Sequence, residues 1–195
     1  MKGAIIMKKI KILALFGPSG AGKDFLTDYL LQALGTKKLH KMISCTTRAK
    51  RENEINGKDY YFLSRNKFAE RLLSGDIIEA TEYSGEIYGS TMAAIRKNKL
   101  NIAVLDPIGI ECLSKNDEFE LYPVYIYAQD RIRLTRVLTR ETYPDCEKIC
   151  RRFLEDKKKF NETYDFEFLS YNNSYANPAH FISWLRDQGI LSKNG

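Results

Sequence analysis

Positions 9–16, Lys-Ile-Lys-Ile-Leu-Ala-Leu-Phe, form a run of large apolar residues that stops at a glycine-rich turn. The turn reads Gly17-Pro18-Ser19-Gly20-Ala21-Gly22-Lys23-Asp24. Residues 24–34 behind it carry apolar side chains at Phe25, Leu26, Tyr29, Leu30 and Ala33. The first pattern fits a strand buried on both faces, and the second fits one stripe of a helix. Strand, glycine turn and helix in that order open a parallel α/β unit. The turn matches G-x-x-x-x-G-K. Its glycines let successive N–H groups point inward at anionic oxygens, the helix N-terminus adds its dipole, and Lys23 supplies a mobile charge. An ordinary glycine turn would not need these flanks. The expectation is a nucleoside triphosphate site.

The eighth position of such a loop is normally Ser or Thr, whose hydroxyl ligates Mg²⁺ beside the phosphates. Here it is Asp24. A carboxylate is a good ligand for a hard cation, but it brings negative charge close to the phosphates. Capping the helix is its plainer alternative role.

Elsewhere the pattern predicts strands over 101–105 and 121–127 and a weaker one over 166–169. It predicts helices over 91–97, 130–141, 144–160 and 177–188. Residues 41–89 differ. Their segments are short, punctuated by Asn56-Gly57, Gly75 and Gly85, with tyrosines at 60, 61, 83 and 88. Short strands and turns fit an inserted, mainly antiparallel lobe. The expected fold class is α/β, a P-loop NTPase core with a parallel sheet flanked by helices. The core is expected over 1–40 and 91–195, and the lobe over 41–90.

The 31 basic and 25 acidic residues leave a net charge of +6, which points to an anionic partner without naming it. No apolar run approaches the length of a membrane span, and the glycine loop stands where a signal cleavage site would be. The four cysteines include no C-x-x-C pair, and Cys146 and Cys150, four apart on an expected helix, read as buried thiols. His40 and His180 are too far apart in sequence to build an obvious zinc site with them. These features suggest a reduced cytoplasmic protein with no structural metal and no membrane partner. No aromatic and basic platform suggests nucleic acid. Met7 is a second candidate start beside Met1.

Residues 43–64 place Arg48 and Arg51 three apart beside hydroxyls, followed by Tyr60. Guanidinium forks and a phenol in one small lobe suit a phosphate monoester. From these residues alone, a solvated basic loop fits equally well.

With the phosphate loop, this stretch and residues 76–91, Asp-Ile-Ile-Glu-Ala-Thr-Glu-Tyr-Ser-Gly-Glu-Ile-Tyr-Gly-Ser-Thr, the chain resembles guanylate kinase. Order and spacing agree from about residue 12 to 106, and more loosely to 185. The resemblance implies transfer of a phosphoryl group from ATP to GMP or dGMP in purine nucleotide metabolism, with Mg²⁺ as cofactor. ATP would sit on Gly17 through Phe25, with Asn172 near the adenine. Arg48, Arg51, Tyr60 and Tyr88 would hold the GMP phosphate, with Glu54 orienting the arginines. Ser44, Glu79 and Ser90 would read guanine, since a carboxylate can accept from guanine N1–H and its 2-amino group together. A helical lid over about 131–160 would bring Arg136, Arg140 and Arg152 to the transferred group. In residues 131–159, ten Lys or Arg face five acids, which taken alone more often marks a solvated face. Asp24 and Asp106 would hold Mg²⁺, partly through water. Ile108 stands where the family usually has a second acid. Oligomeric state stays open between monomer and homodimer. Ribose 1,5-bisphosphate phosphokinase, a sibling that also carries Gly-Lys-Asp, is the nearest alternative, beside another nucleoside monophosphate kinase. A guanylate-kinase-like binding module without catalysis is the alternative of another class.

Overall fold

The computed structural model describes residues 9–160, the backbone of 171 and 172, and residues 178–192. Strand β1 (Ile10–Phe16) leads through the glycine loop into helix α1 (Lys23–Leu34), and β2 (Leu39–Lys41) follows. A second sheet is built from β3 (Cys45–Thr46), β4 (Tyr61–Phe62), β5 (Ile77–Tyr83) and β6 (Glu86–Thr91), with helix α2 (Arg65–Leu73) between β4 and β5. The chain then returns through β7 (Leu100–Val104), α3 (Pro107–Ser114) and β8 (Phe119–Tyr127). Helices α4 (Asp130–Leu138) and α5 (Cys146–Lys159), strand β9 (Tyr171–Asn172) and helix α6 (Ala179–Asp187) complete the described elements.

The first sheet has the order β2-β7-β1-β8-β9, with every pairing parallel. Alternation along β1 divides the core. Leu13 and Leu15 pack with Leu26 and Leu30 of α1 and Phe181 and Leu185 of α6, while Ile12, Ala14 and Phe16 pack with Ile110 and Leu113 of α3. Both faces are covered, so the strand reads as a continuous apolar run. The second sheet has the order β4-β3-β6-β5; β3–β6 and β5–β6 are antiparallel and β3–β4 is parallel. Its small core is Cys45, Phe68 and Ile77. Among the described residues, no helix is long and apolar enough to cross a membrane.

Several elements differ from expectation. Residues 91–97 form a single 3₁₀ turn at Met92–Ala94, because the Arg96 N–H donates to Asn101 Oδ1 instead of continuing a helix. Helices α2 and α3 had no counterpart in the pattern. Each carries a start signal in sequence: Ser64 accepts from the Lys67 N–H, and Asp106, followed by Pro107, accepts from the Gly109 N–H. The strand expected over 166–169 lies outside the described residues. Cys146 and Cys150 are exposed, not buried. Helix α5 turns Ile149, Phe153 and Asp156 inward, and Cys150 stands about 100° round the helix from Ile149.

The loop after β1 is held by close backbone packing. Gly17 has φ 134° and Gly20 has φ 76°, and a Cβ on either would meet a carbonyl oxygen, of Ile126 at 2.4 Å or of Arg133 at 2.5 Å. Gly20→Ala is therefore expected to lower stability by about 1–3 kcal/mol beyond Gly85→Ala. Gly85 has the same φ of 76° in open space, so it controls for backbone strain. Thermal denaturation of both variants checks this, and equal midpoints would show that the Arg133 contact yields.

Candidate active site

The C-terminal ends of β1 and β7, the second sheet and helix α5 enclose a cavity of about 970 Å³ of atom-free space, open to solvent. Of the residues singled out in sequence, it is lined by Gly17, Ser19, Gly20, Lys23, Asp24, Ser44, Arg48, Arg51, Glu54, Tyr60, Glu79, Tyr88, Asp106, Arg140 and Arg152. Ser90 lies buried behind the wall. Ala21 is buried in the core, Phe25 is exposed on α1, and the side chain of Asn172 lies outside the described residues.

At one end lies the glycine loop. The Lys23 amine curls back to donate to the carbonyls of Gly17 (2.6 Å) and Pro18 (3.0 Å). Desolvation lowers its pKa to about 8, with Arg152 and Arg133 adding to the effect and Asp24 and Asp156 opposing it. Asp24 does not cap α1: Gly22 is the N-cap residue and no side chain caps the helix. Its carboxylate is exposed at the cavity and available to a hard cation. Asp106 is engaged on both oxygens, Oδ1 by the Gly109 N–H and Oδ2 by the Lys159 ammonium. Of the two acids expected to hold Mg²⁺, Asp24 thus stands open to the cavity and Asp106 is held by protein donors.

In the middle stands a cage of arginines and tyrosines. Glu54 accepts from Arg48 through both oxygens, at 2.7 and 2.9 Å, and from the backbone N–H of Arg51 at 2.8 Å. Burial pushes the Glu54 carboxyl up, but the Arg48 and Arg51 bonds more than reverse this and leave it below the usual range. The Arg48 guanidinium lies 5.5 Å from the centre of the Tyr60 ring, and Tyr60 meets Tyr88 edge-on at 5.9 Å. Arg51 also pairs with Glu141 beyond the end of α4, at 3.0 Å. Burial, followed by the like charges of Arg48, Arg140 and Arg152, holds the Arg51 pKa below its ordinary value. Such crowding of cations suits an anion between them.

At the far end, Glu79 is only 6% exposed, opposite Ser90 on the neighbouring strand. Desolvation raises its pKa to about 7, with the Asp106 charge adding and Ser90 partly offsetting. It is not the exposed strand carboxylate that its position on β5 would otherwise suggest. Ile108 is 57% exposed on α3 and contributes no polar group.

Sequence reasoning missed three residues around the loop. Asp156 of α5, buried, accepts from the Ser19 N–H (2.8 Å), the Tyr83 hydroxyl (2.5 Å) and Arg133 (3.0 Å). Arg133 of α4 also donates to the Ser19 carbonyl at 2.9 Å. Lys159 bonds Asp106, as above. Arg136 donates to the Gly20 carbonyl at 3.2 Å, so it touches the loop's outer side instead of lining the cavity. The missed side chains sit in a run of charges that reads as a solvated face. The available signal was an acid at 156 on the helix face that also carries Ile149 and Phe153.

A family model described as guanylate kinase matches residues 9–180. The chain belongs to the guanylate kinase family. A guanylate kinase of Sus scrofa is 40% identical over 121 residues, 60% of this chain and 59% of the relative. One of Trichormus variabilis is 46% identical over 85 residues, spanning 42% of the relative. The first of these alignments thus spans over half of the relative, and the second under half. A guanylate kinase of a Nostoc strain is 30% identical over 169 residues, 85% of this chain and 83% of the relative. The crystal structure of guanylate kinase from Anaplasma phagocytophilum covers 94% of this chain and 88% of its own, with a TM-score of 0.66 and 22% identity. That likeness supports the fold: an α/β P-loop core of guanylate kinase type.

The lowered Lys23 pKa has a measurable consequence. A polyphosphate favours the ammonium form, so above about pH 8 binding must take up a proton. Affinity for ADP is expected to fall by up to about tenfold per pH unit above that point. Titration calorimetry in buffers of different ionisation enthalpy checks the uptake, and Lys23→Ala should abolish it.

Proposed function

We propose that the chain is a cytoplasmic guanylate kinase that transfers the γ-phosphoryl of ATP to GMP or dGMP in line, giving ADP and GDP or dGDP. The observation that carries this is one cavity with three chemically distinct ends: a phosphate loop, an Arg–Tyr cage, and a buried carboxylate. Their order matches a donor triphosphate, an acceptor phosphate and an acceptor base.

In this reading the N–H groups of Gly17 through Lys23 and the Lys23 ammonium hold the β- and γ-phosphates. Arg48, Arg51, Tyr60 and Tyr88 hold the GMP phosphate, fixed in place by Glu54. Glu79, with Ser44 and Ser90, accepts from guanine N1–H and its 2-amino group. Adenine presents an acceptor at N1 and no 2-amino group, so it leaves a buried carboxylate unpaired, at a cost of a few kcal/mol. Arg140 and Arg152 spread charge-assisted donors over the equatorial oxygens of a loose transition state, and Arg136 braces the loop. Mg²⁺, carried in with ATP and held at Asp24, would neutralise charge on the β- and γ-phosphates. Residues 41–90 and about 131–160 are proposed to close on the core as acceptor lobe and lid, excluding the water that would hydrolyse ATP.

The deciding experiment is ADP release with ATP and Mg²⁺ across GMP, dGMP, AMP, UMP, CMP and ribose 1,5-bisphosphate, with Lys23→Ala as the blank. Turnover confined to GMP and dGMP is expected, with Lys23→Ala slower by at least roughly 10²-fold. Turnover on the sugar bisphosphate alone would make the protein the sibling kinase instead, a reading that the Asp24 substitution favours. Binding of GMP without any turnover would mark a binding module.

Glu79 adds a pH signature. Guanine needs the ionised carboxylate, so the KM for GMP is expected to rise as pH falls below about 7, by up to about tenfold per unit. Glu79→Gln should remove that dependence and narrow the GMP-to-AMP preference. A flat profile in the native protein would put base recognition elsewhere.

A further inference from the structure

The Tyr83 hydroxyl is the point where three parts of the molecule meet. Tyr83 ends β5 of the second sheet, Ser19 lies in the phosphate loop, and Arg152 and Asp156 are one turn apart on α5. The phenol oxygen is 2.5 Å from Asp156 Oδ1, 3.1 Å from Arg152 Nε and 3.0 Å from Ser19 Oγ. A phenol has one proton and two acceptor positions. Its proton goes to the carboxylate, which can only accept. The Arg152 N–H and the Ser19 O–H must then both donate to Tyr83, and every valence of the oxygen is used. The ring carries a second restraint: the Arg152 guanidinium is 4.9 Å and the Lys159 ammonium 5.1 Å from its centre. Arg152 makes no other hydrogen bond among the described residues, so its two Nη groups are left for an anion in the cavity it lines.

We propose that Tyr83 is a positioning residue for phosphoryl transfer: its hydroxyl fixes the Arg152 guanidinium relative to the phosphate loop through Asp156 and Ser19. In this role Tyr83, which also lines the cavity, acts on the arginine and not on the phosphates. It acts through Arg152, and it does so when the second sheet, the loop and α5 are together. Asp156 serves as the anchor, since it also holds the Ser19 N–H and is paired with the buried Arg133. Acceptor-lobe closure and arginine placement are thereby coupled, and Arg152 is aligned only when the sheet that carries Glu79 has docked. This role depends on the phosphoryl transfer proposed above.

Tyr83→Phe keeps the ring and its packing and removes only the oxygen. It is expected to lower kcat by about 10-fold or more while leaving the KM for GMP within about twofold. Arg152→Lys, which keeps the charge but has no Nε–H, should lower kcat as well. Adding Tyr83→Phe to Arg152→Lys should then cost less than about twofold further, because the hydroxyl has no Nε–H left to hold. A purely structural role would give the same proportional loss in both backgrounds, and that result overturns the proposal. So does an unchanged kcat in Tyr83→Phe, or a change confined to KM. Each variant is assayed well below its own thermal midpoint, beside the native protein at the same temperature. A native protein silent on GMP overturns the proposed function and this role with it. An active native protein with an unaffected Tyr83→Phe overturns only the role of Tyr83.

Discussion

The structure turns on how tightly the backbone is packed where β1 ends. At Gly17 and Gly20 the chain runs so close to the carbonyls of Ile126 and Arg133 that no side chain fits. Those carbonyls belong to β8 and α4, so the loop is clamped between the next strand of the sheet and the helices beyond it. Its N–H groups can then converge, because the rest of the loop has nowhere else to go. Lys23 shows the cost of that convergence: its amine lies against loop carbonyls and is desolvated enough to titrate near 8. Burial of the amine makes it reluctant to be charged, and a polyanion in the cavity would relieve that reluctance.

The clamp extends outward through a buried ion pair. Arg133 and Asp156 are both nearly solvent-free and lie 3.0 Å apart. Such pairs rarely stabilise more than apolar packing of equal volume, because desolvating both charges offsets most of the attraction. Their effect here is geometric. Arg133 donates to the Ser19 carbonyl and Asp156 accepts from the Ser19 N–H, so α4 and α5 grip one residue of the loop through its two flanking peptides. An apolar pair would pack the helices together without registering them to the loop.

Much of the core was legible. β1, the loop and α1 were readable because a buried parallel strand is apolar throughout and the loop needs glycine at fixed spacing. β7, β8, α4 and α5 followed from the same patterns, with ends displaced by a few residues. Helices α2 and α3 were missed because each has about two turns and one buried stripe, too little for periodicity, although Ser64 and Asp106-Pro107 mark their starts. Arg48, Arg51, Glu54 and Tyr60 lie close in sequence, so their grouping was visible. The Ser19–Tyr83–Asp156 junction was not, since its members are 64 and 73 residues apart and nothing local marks them as neighbours. Cys146 and Cys150 were misread because α5 turns Asp156 inward with Ile149 and Phe153 and leaves both thiols on the outer side, against the rule that charge faces water.

Two carboxylates in one cavity show how the site divides its labour. Glu54 and Glu79 start from the same chemistry, and burial pushes both upward. Glu54 receives guanidinium and backbone donors that already satisfy it, so it stays ionised and serves as a strut for Arg48 and Arg51. Glu79 is desolvated, has only Ser90 to offset this, and feels the like charge of Asp106 as well, so its pKa rises to about 7. A carboxylate held near neutrality by desolvation is incomplete, and a ligand edge with two adjacent donors completes it. The difference between the two carboxylates therefore lies in their neighbours: two arginines beside Glu54, and one hydroxyl with a like charge beside Glu79.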